Sequence, residues 1–259
     1  MTREEMSALL EKLAVASAGA SKPGAVLPAD ELIGTPELRK LAGCIDHTLL
    51  RPDATQFQVE RLCHEALRSG FAVACVNPVW VSLAARMLHR SGVRVGSVAG
   101  FPLGASTTVQ KRAEAWTAIC AGAQEIDMVM NIGAMKSGDL DRVESDIRGV
   151  VGICREGGAV LKVILENAYL TDEEKVAACR IAERAGANFV KTSTGFGPSG
   201  ATPADVRLMR QTVGPAVGVK AAGGIRTLTD ALRMLEAGAN RLGTSAGVAI
   251  LQEAAGLLV

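Results

Sequence analysis

The sequence predicts a (β/α)8 barrel preceded by an extra N-terminal helix. Three observations predict it. Short apolar runs alternate with helix-period patterns eight times. The strand–helix units, roughly 25 to 35 residues each, match a barrel in number and in total length for a chain of 259 residues. Hydrophobic residues make up 48 % of the chain but aromatics only 3 %, so the core is built from Ala, Val, Leu and Ile. Such a core suits stacked layers of small branched side chains. A doubly wound open sheet shares the alternation. The count of eight favours the barrel, and no GxGxxG follows the first strand.

In chain order, residues 3–18 read as an amphipathic helix and residues 19–34 as a linker rich in Gly, Ala, Ser and Pro. This divides the chain into an N-terminal helix and linker, 1–34, and a barrel domain, 35–259. Strands are expected near 44–48, 72–76, 94–99, 125–130, 160–166, 188–192, 216–221 and 240–244. Helical patterns between them include 56–69, 109–121, 139–156, 172–185 and 229–237. Thr55, Thr171 and Thr227 stand where a hydroxyl would cap a helix start. Gly70, Gly122, Gly157, Gly186 and Gly238 stand where a left-handed residue would close one.

Charge and cysteine usage exclude several classes. With 28 basic and 27 acidic residues the net charge is +1, which gives no basic stripe for nucleic acid and no cationic face for a membrane. The scarcity of aromatics also argues against base-stacking platforms. No apolar run approaches membrane-spanning length. Charged residues at 3–5 and 11–12 break any signal-peptide pattern. The six cysteines form no CxxC pair and no Cys/His cluster, so they read as reduced thiols of a cytoplasmic protein without structural zinc.

The chemistry is expected at the C-terminal strand ends, where barrels carry their active sites. Lys191 ends the run Asn188-Phe189-Val190, and Lys220 ends Val217-Gly218-Val219 only 29 residues later. A glycine-bearing loop follows each. Lysine is costly to bury unless neutralised or paired. Two lysines converging in a dry pocket supply a neutral, nucleophilic amine, which points to Schiff-base chemistry. The plain alternative for either alone is a stem that snorkels its ammonium to water. Asp127, inside the apolar run 125–130, reads as a general acid/base or as a buried partner of a lysine.

Other strand-end residues join the candidate site: Asp46, Thr48, Cys75, Lys162 and Thr194. Asp46 and His47 are neighbours on one strand and point to opposite faces, so they form no dyad. Cys75 has no nearby base and reads as pocket lining. Lys162 and Glu166, four apart, are expected on one strand face, either as a salt bridge or with Lys162 placing charge around Asp127. His64 and His89 are expected on helix surfaces. After strands seven and eight, Gly223-Gly224-Ile225-Arg226 and Gly243-Thr244-Ser245 resemble the loops with which many barrels bind phosphate.

Taken together, Ile45-Asp46-His47-Thr48-Leu49-Leu50-Arg51-Pro52, Val73-Ala74-Cys75-Val76-Asn77-Pro78, Glu125-Ile126-Asp127-Met128-Val129, Leu161-Lys162-Val163-Ile164-Leu165-Glu166, Phe189-Val190-Lys191-Thr192-Ser193-Thr194-Gly195 and Val219-Lys220-Ala221-Ala222-Gly223-Gly224-Ile225-Arg226-Thr227 resemble deoxyribose-phosphate aldolase, a class I aldolase family. The match runs from about residue 40 to the end. The resemblance implies reversible cleavage of 2-deoxy-D-ribose 5-phosphate to D-glyceraldehyde 3-phosphate and acetaldehyde. It makes Lys191 the Schiff-base lysine, Lys220 the ammonium that lowers its pKa, and Asp127 the proton-transfer residue acting with water. It places the substrate phosphate at Gly195, Gly223, Gly224, Gly243 and Ser245. It also implies a homo-oligomer, dimer or tetramer, with no cofactor and no metal.

The chain departs from the pattern at two positions. Phe196 follows Thr194-Gly195 where some members have lysine, and Ala246 stands where some have a second serine. Phosphate grip is therefore expected to rest on backbone N–H groups. Some members end in a tyrosine tail that reaches the site; the only tyrosine here is Tyr169, so no tail-assisted proton step is expected. Two other functions fit these residues: a Schiff-base barrel acting on a different phosphorylated sugar or keto acid, and a barrel that binds a sugar phosphate without catalysis.

Overall fold

The computed structural model describes residue 8 and residues 35–258. The expected helix 3–18, Ala8 apart, and the linker 19–34 lie outside the described residues. Eight parallel strands close into a barrel in strict sequence order, β1 to β8, with β8 paired to β1. The strands are β1 (Ile45–Leu49), β2 (Val73–Val76), β3 (Arg94–Ala99), β4 (Glu125–Val129), β5 (Val160–Ile164), β6 (Phe189–Lys191), β7 (Gly218–Ala222) and β8 (Arg241–Thr244). The helices are α1 (Pro36–Ala42), α2 (Gln56–Ser69), α3 (Val81–Met87), α4 (Thr108–Cys120), α5 (Ile132–Lys136), α6 (Leu140–Glu156), α7 (Asp172–Ala185), α8 (Pro203–Thr212), α9 (Leu228–Glu236) and α10 (Gly247–Leu258). This is a (β/α)8 barrel, and the open-sheet alternative is gone.

The expected caps form for local reasons. Thr55, Thr171 and Thr227 each accept the backbone N–H three residues on, and each belongs to a full capping box. Gly70 and Gly186 close α2 and α7 in the left-handed conformation. Gly122 and Gly238 take positive φ one residue past the helix-closing Ala121 and Ala237. Gly157 departs from expectation: it ends α6 with φ −87°, and Gly158 makes the left-handed turn with φ +68°.

Two cores form. The larger lies between the strands' outer faces and the helices, and includes Ile45, Ile126, Val163, Val190, Val219 and Leu242. It also holds a buried pair, Lys111 Nζ to Asp146 Oδ2 at 2.5 Å, which fastens α4 to α6. The smaller core, Leu50, Val73, Cys75 and Val98 with Phe101 against it, fills one side of the interior. The opposite side of the interior is ionic.

Register decides which residues face inward, because a one-residue slip turns every side chain to the other face. Across neighbouring strands the ladder pairs Asp127 with Lys162, Lys162 with Phe189, Lys191 with Lys220, and Lys220 with Arg241. Phe189 pairs with Gly218, where a Cβ would lie 2.1 Å from the Phe189 ring. That missing methyl lets β6 and β7 approach with the ring inside. Gly218→Ala is therefore expected to destabilise the fold by about 1–3 kcal/mol, the usual cost of overpacking. Urea unfolding monitored by circular dichroism checks this.

Candidate active site

The interior polar cluster is built around Asp127. Its carboxyl accepts from three ammonium groups: Lys162 Nζ on Oδ1 at 2.8 Å, and Lys191 Nζ and Lys220 Nζ on Oδ2 at 2.8 and 2.7 Å. The two nitrogens on Oδ2 thus lie no more than 5.5 Å apart. Three strands deliver these lysines, all of them essentially buried.

A second tier lies nearer the N-terminal ends of β4 and β8. Lys220 Nζ also meets Asp46 Oδ2 at 2.5 Å, and Lys162 Nζ meets Glu125 Oε2 at 2.5 Å and Asp46 Oδ2 at 3.6 Å. Arg241 donates to Asp46 Oδ1 from Nε at 2.8 Å and again from Nη2, and reaches Glu125 Oε2 at 3.4 Å. Arg94, partly exposed, pairs with Glu125 Oε1 at 2.8 Å. The interior carboxyls Asp46, Glu125 and Asp127 are matched by Lys162, Lys220 and Arg241. Among the described residues on these carboxyls, Lys191 and the partly exposed Arg94 stand beyond that balance, and of the two only Lys191 is buried.

The pKa directions follow this count. Burial pushes the Lys191 ammonium below its ordinary value; Asp127 opposes this and Lys220 adds to it by like-charge repulsion. Burial acts on Lys220 too, but Asp127 and Asp46 overcome it and hold that ammonium above its usual range. Lys162 is likewise held above its usual range, against burial, by Asp127, Glu125 and Asp46. Burial would raise the Asp127 carboxyl, yet Lys162, Lys191 and Lys220 hold it well below the carboxylate range. The repulsion expected from Lys220 is thus present, and burial of Lys191 is the larger cause.

Cys75 lies in the apolar half of the interior, its thiol pushed up to about 11, first by burial and then by Asp127. It packs in that apolar cluster as a buried thiol held in its protonated form. His47 faces outward as alternation requires: Nε2 sits 2.7 Å from Glu65 Oε2 and the ring packs on Phe71. Thr48 Oγ1 donates to the Asp46 carbonyl. His64 is exposed on α2, and exposed His89 lies in the turn after α3.

Two placements correct the sequence reading, and two add detail to it. Lys162 and Glu166 do not pair. The chain leaves β5 at Ile164, so strand alternation stops, and Glu166 turns away in the left-handed conformation with φ +56°. Gly243 is not a loop residue: it lies within β8, where a Cβ would stand 3.0 Å from Lys220 Cε and 2.9 Å from Ala222 Cβ. Its missing side chain makes the channel that Lys220 occupies. Thr194 is not a free donor, because its N–H and hydroxyl both donate to Glu166 Oε2. Arg226 is exposed before α9, and its backbone N–H donates to Asp230 Oδ2. Gly195, Gly223 and Gly224 all take positive φ, and Ser245 is exposed at the exit of β8.

Glu125, Arg241 and Arg94 were not singled out from sequence. Glu125 stands two residues before Asp127 on the same face, so strand alternation carried the signal. Arg241 required the β7–β8 register, which sequence does not display.

Closed barrel, buried lysines on adjacent strands and glycine loops at the same end define a barrel enzyme with an amine-bearing interior. A family model described as DeoC/LacD family aldolase matches residues 41–253, and the chain belongs to that family. It is an aldolase, a lyase. A deoxyribose-phosphate aldolase of Streptococcus pneumoniae is 59 % identical over 213 residues, 82 % of this chain and 96 % of the relative. One from Thermococcus gammatolerans is 57 % identical over 216 residues, 83 % of this chain and 96 % of the relative. A solved deoxyribose phosphate aldolase from Aeropyrum pernix, described as a unique tetrameric structure, superposes with TM-score 0.80 at 36 % identity over 89 % of this chain and all of its own.

Gly243→Ala is expected to displace the Lys220 side chain and to lower aldolase kcat by about tenfold to a hundredfold, the scale of an ångström-level misplacement. Steady-state kinetics on protein whose Tm is recorded in parallel checks this. A drop in Tm with unaltered kcat would count against the channel argument.

Proposed function

We propose that the chain cleaves 2-deoxy-D-ribose 5-phosphate reversibly to D-glyceraldehyde 3-phosphate and acetaldehyde through a Schiff base on Lys191. One observation carries the mechanism: of the three lysines on Asp127, Lys162 and Lys220 each meet a second carboxyl, whereas Lys191 meets Asp127 alone, and burial there pushes its ammonium below the ordinary value. The relatives named as deoxyribose-phosphate aldolases support the substrate.

On this reading the neutral Lys191 amine adds to the C1 aldehyde of the open-chain sugar. Loss of water from the carbinolamine leaves an iminium. A base takes the C3 hydroxyl proton, the C2–C3 bond breaks, and its electron pair flows into the iminium to give an enamine. Glyceraldehyde 3-phosphate departs. Protonation of the enamine at C2 and addition of water then release acetaldehyde and the free amine. The iminium is the electron sink of the whole sequence. Asp127, held ionised, suits the base and acts through water; Lys220, held protonated, is the acid beside it.

The phosphate is assigned to the glycine loops after β6 and β7, with Gly195, Gly223 and Gly224, and to Ser245 after β8. Phe196 brings no charge there, so backbone N–H groups carry the grip. Asp46, Lys162 and Arg241 keep the ionic layer balanced beneath the chemistry. Thr48 and Cys75 line the wall.

Assembly as a homo-oligomer, dimer or tetramer, is part of this proposal and rests on the Aeropyrum pernix relative. The free cysteines, Cys44, Cys63, Cys75, Cys120, Cys154 and Cys179, support a cytoplasmic location. No helix among the described residues is long and apolar enough to cross a membrane. The division at residue 34 is supported by the family match beginning at 41.

Borohydride reduction in the presence of 2-deoxyribose 5-phosphate, followed by peptide mass mapping, is expected to give one saturable adduct on Lys191. An adduct on Lys220 or Lys162 would reassign the nucleophile, and none from folded protein would remove the Schiff base. Lys191→Ala is expected to abolish turnover with the fold retained.

Lys220→Met is expected to lower kcat and to shift the pH profile. The nucleophile must be neutral, so activity rises through the Lys191 pKa. Removing the neighbouring positive charge raises that pKa, and the acid-side limb moves up by about one pH unit, the scale of a single like charge at this distance. An unmoved limb in kcat/KM against pH would deny Lys220 this role.

A further inference from the structure

We propose that Glu166 is a positioning residue which, through Thr194, shapes the loop after β6 into the element that selects phosphorylated substrate. The proposal rests on the aldolase reading above and goes beyond it.

The backbone on either side of Glu166 is tied to the exit of β6. Leu165 N–H donates to the Lys191 carbonyl at 2.9 Å, and Asn167 N–H to the Thr192 carbonyl at 2.9 Å. Between these ties Glu166 takes φ +56° and ψ +65°, a conformation non-glycine residues seldom adopt. The turn sends its carboxyl beneath the loop, where the residue is 2 % exposed.

Three of the loop's first residues are then set by that one group. Thr194 N–H donates to Oε2 at 3.1 Å, and the Thr194 hydroxyl donates to the same oxygen. Thr194 Oγ1 in turn accepts Phe196 N–H at 3.0 Å. A Cβ on Gly197 would lie 3.0 Å from Glu166 Cδ, so the missing side chain lets the loop seat closely against that carboxyl. Gly195, between these anchors, takes φ +88° with open space on its Cβ side.

The same loop is joined to the next. Ala201 N–H donates to the carbonyls of Ala222 and Gly223 at 3.2 and 3.0 Å, and a Cβ on Gly200 would lie 2.2 Å from the Gly223 oxygen. Glu166 therefore sets the relative placement of Gly195, Gly223 and Gly224, the backbone assigned to the anion. Coulomb attraction does not account for a carboxyl under an anion site, since an ionised one would repel the ligand. Hydrogen-bond geometry does. With no lysine at 196, the loop shape carries the phosphate selectivity.

The test compares Glu166→Met, Glu166→Gln, Thr194→Val and Thr194→Ser on the full chain. Cleavage of 2-deoxyribose 5-phosphate and of unphosphorylated 2-deoxyribose is measured alongside calorimetric titration with inorganic phosphate. Glu166→Met and Thr194→Val are expected to lower the ratio of kcat/KM for the phosphorylated over the unphosphorylated sugar by about tenfold, mainly through KM, the scale of one lost charged-group hydrogen bond. Phosphate affinity should fall in step. Glu166→Gln keeps one acceptor oxygen and Thr194→Ser keeps the hydroxyl, so both are expected to restore most of the ratio.

Equal losses on both sugars, or a fall in Tm alone, would make Glu166 merely structural and overturn the proposal. Phosphate affinity indifferent to all four substitutions would overturn it as well. Should Glu166→Met fail to fold, Thr194→Val decides. If the unaltered chain cleaves neither sugar and traps no adduct, yet binds phosphate in a Glu166-dependent way, the aldolase reading falls and the loop assignment stands.

Discussion

Everything inside this barrel depends on one buried carboxyl that holds three ammonium groups. Asp127 receives Lys162, Lys191 and Lys220 from three successive strands. Charges taken from water into a protein interior cost several kcal/mol each unless paired. Here the pairing is complete without Lys191, because Asp46, Glu125 and Asp127 together engage Lys220, Lys162 and Arg241. The ionic layer is thus charge-balanced in its own right and leaves one amine whose proton is held less tightly than usual. Burial of that amine, with the imbalance beside it, is the physical origin of the reactivity assigned to the site.

The scaffold supports this arrangement by leaving space at chosen points. Gly218 admits the Phe189 ring where β6 meets β7, and Gly243 admits the Lys220 stem where β7 meets β8. Both act inside strands, where glycine is otherwise unfavourable. The opposite wall, with Leu50, Val73, Cys75 and Val98, is apolar and seals the ionic half from that side. Above it, Phe101 meets Phe196 edge-on with ring centres 5.4 Å apart, bridging the loops after β3 and β6. A low-dielectric wall strengthens each electrostatic interaction beside it, so packing and chemistry are coupled.

Strand and helix positions were legible because their signals are local. Period-2 and period-3.6 patterns need only a few neighbouring residues, and Thr55, Thr171 and Thr227 are read from their own side chains. Gly157 misled for an equally local reason: two adjacent glycines follow Glu156, and either can make the left-handed turn. Lys191, Lys220 and Asp127 stood out because charged residues at the ends of, or inside, apolar runs are costly. Glu166 departs from the expected strand face because β5 ends at Ile164, two residues before it. Beyond Ile164 the chain leaves the ladder, and alternation says nothing about direction.

By itself, the sequence determined the eightfold alternation, most of the helix caps, and the placement of Asp46, Asp127, Lys162, Lys191 and Lys220 on the barrel strands. Those follow from local periodicity and from the cost of burying charge. Only the tertiary structure decided the partners. Arg241 meets Asp46 across 195 residues of chain, and Asp127 meets Lys220 across 93. Such contacts arise from the register of a closed sheet, in which each strand is placed by its neighbours rather than by its own residues. The depression of the Lys191 pKa follows from that closure, since the burial and the neighbouring charge that produce it exist only once the barrel is complete.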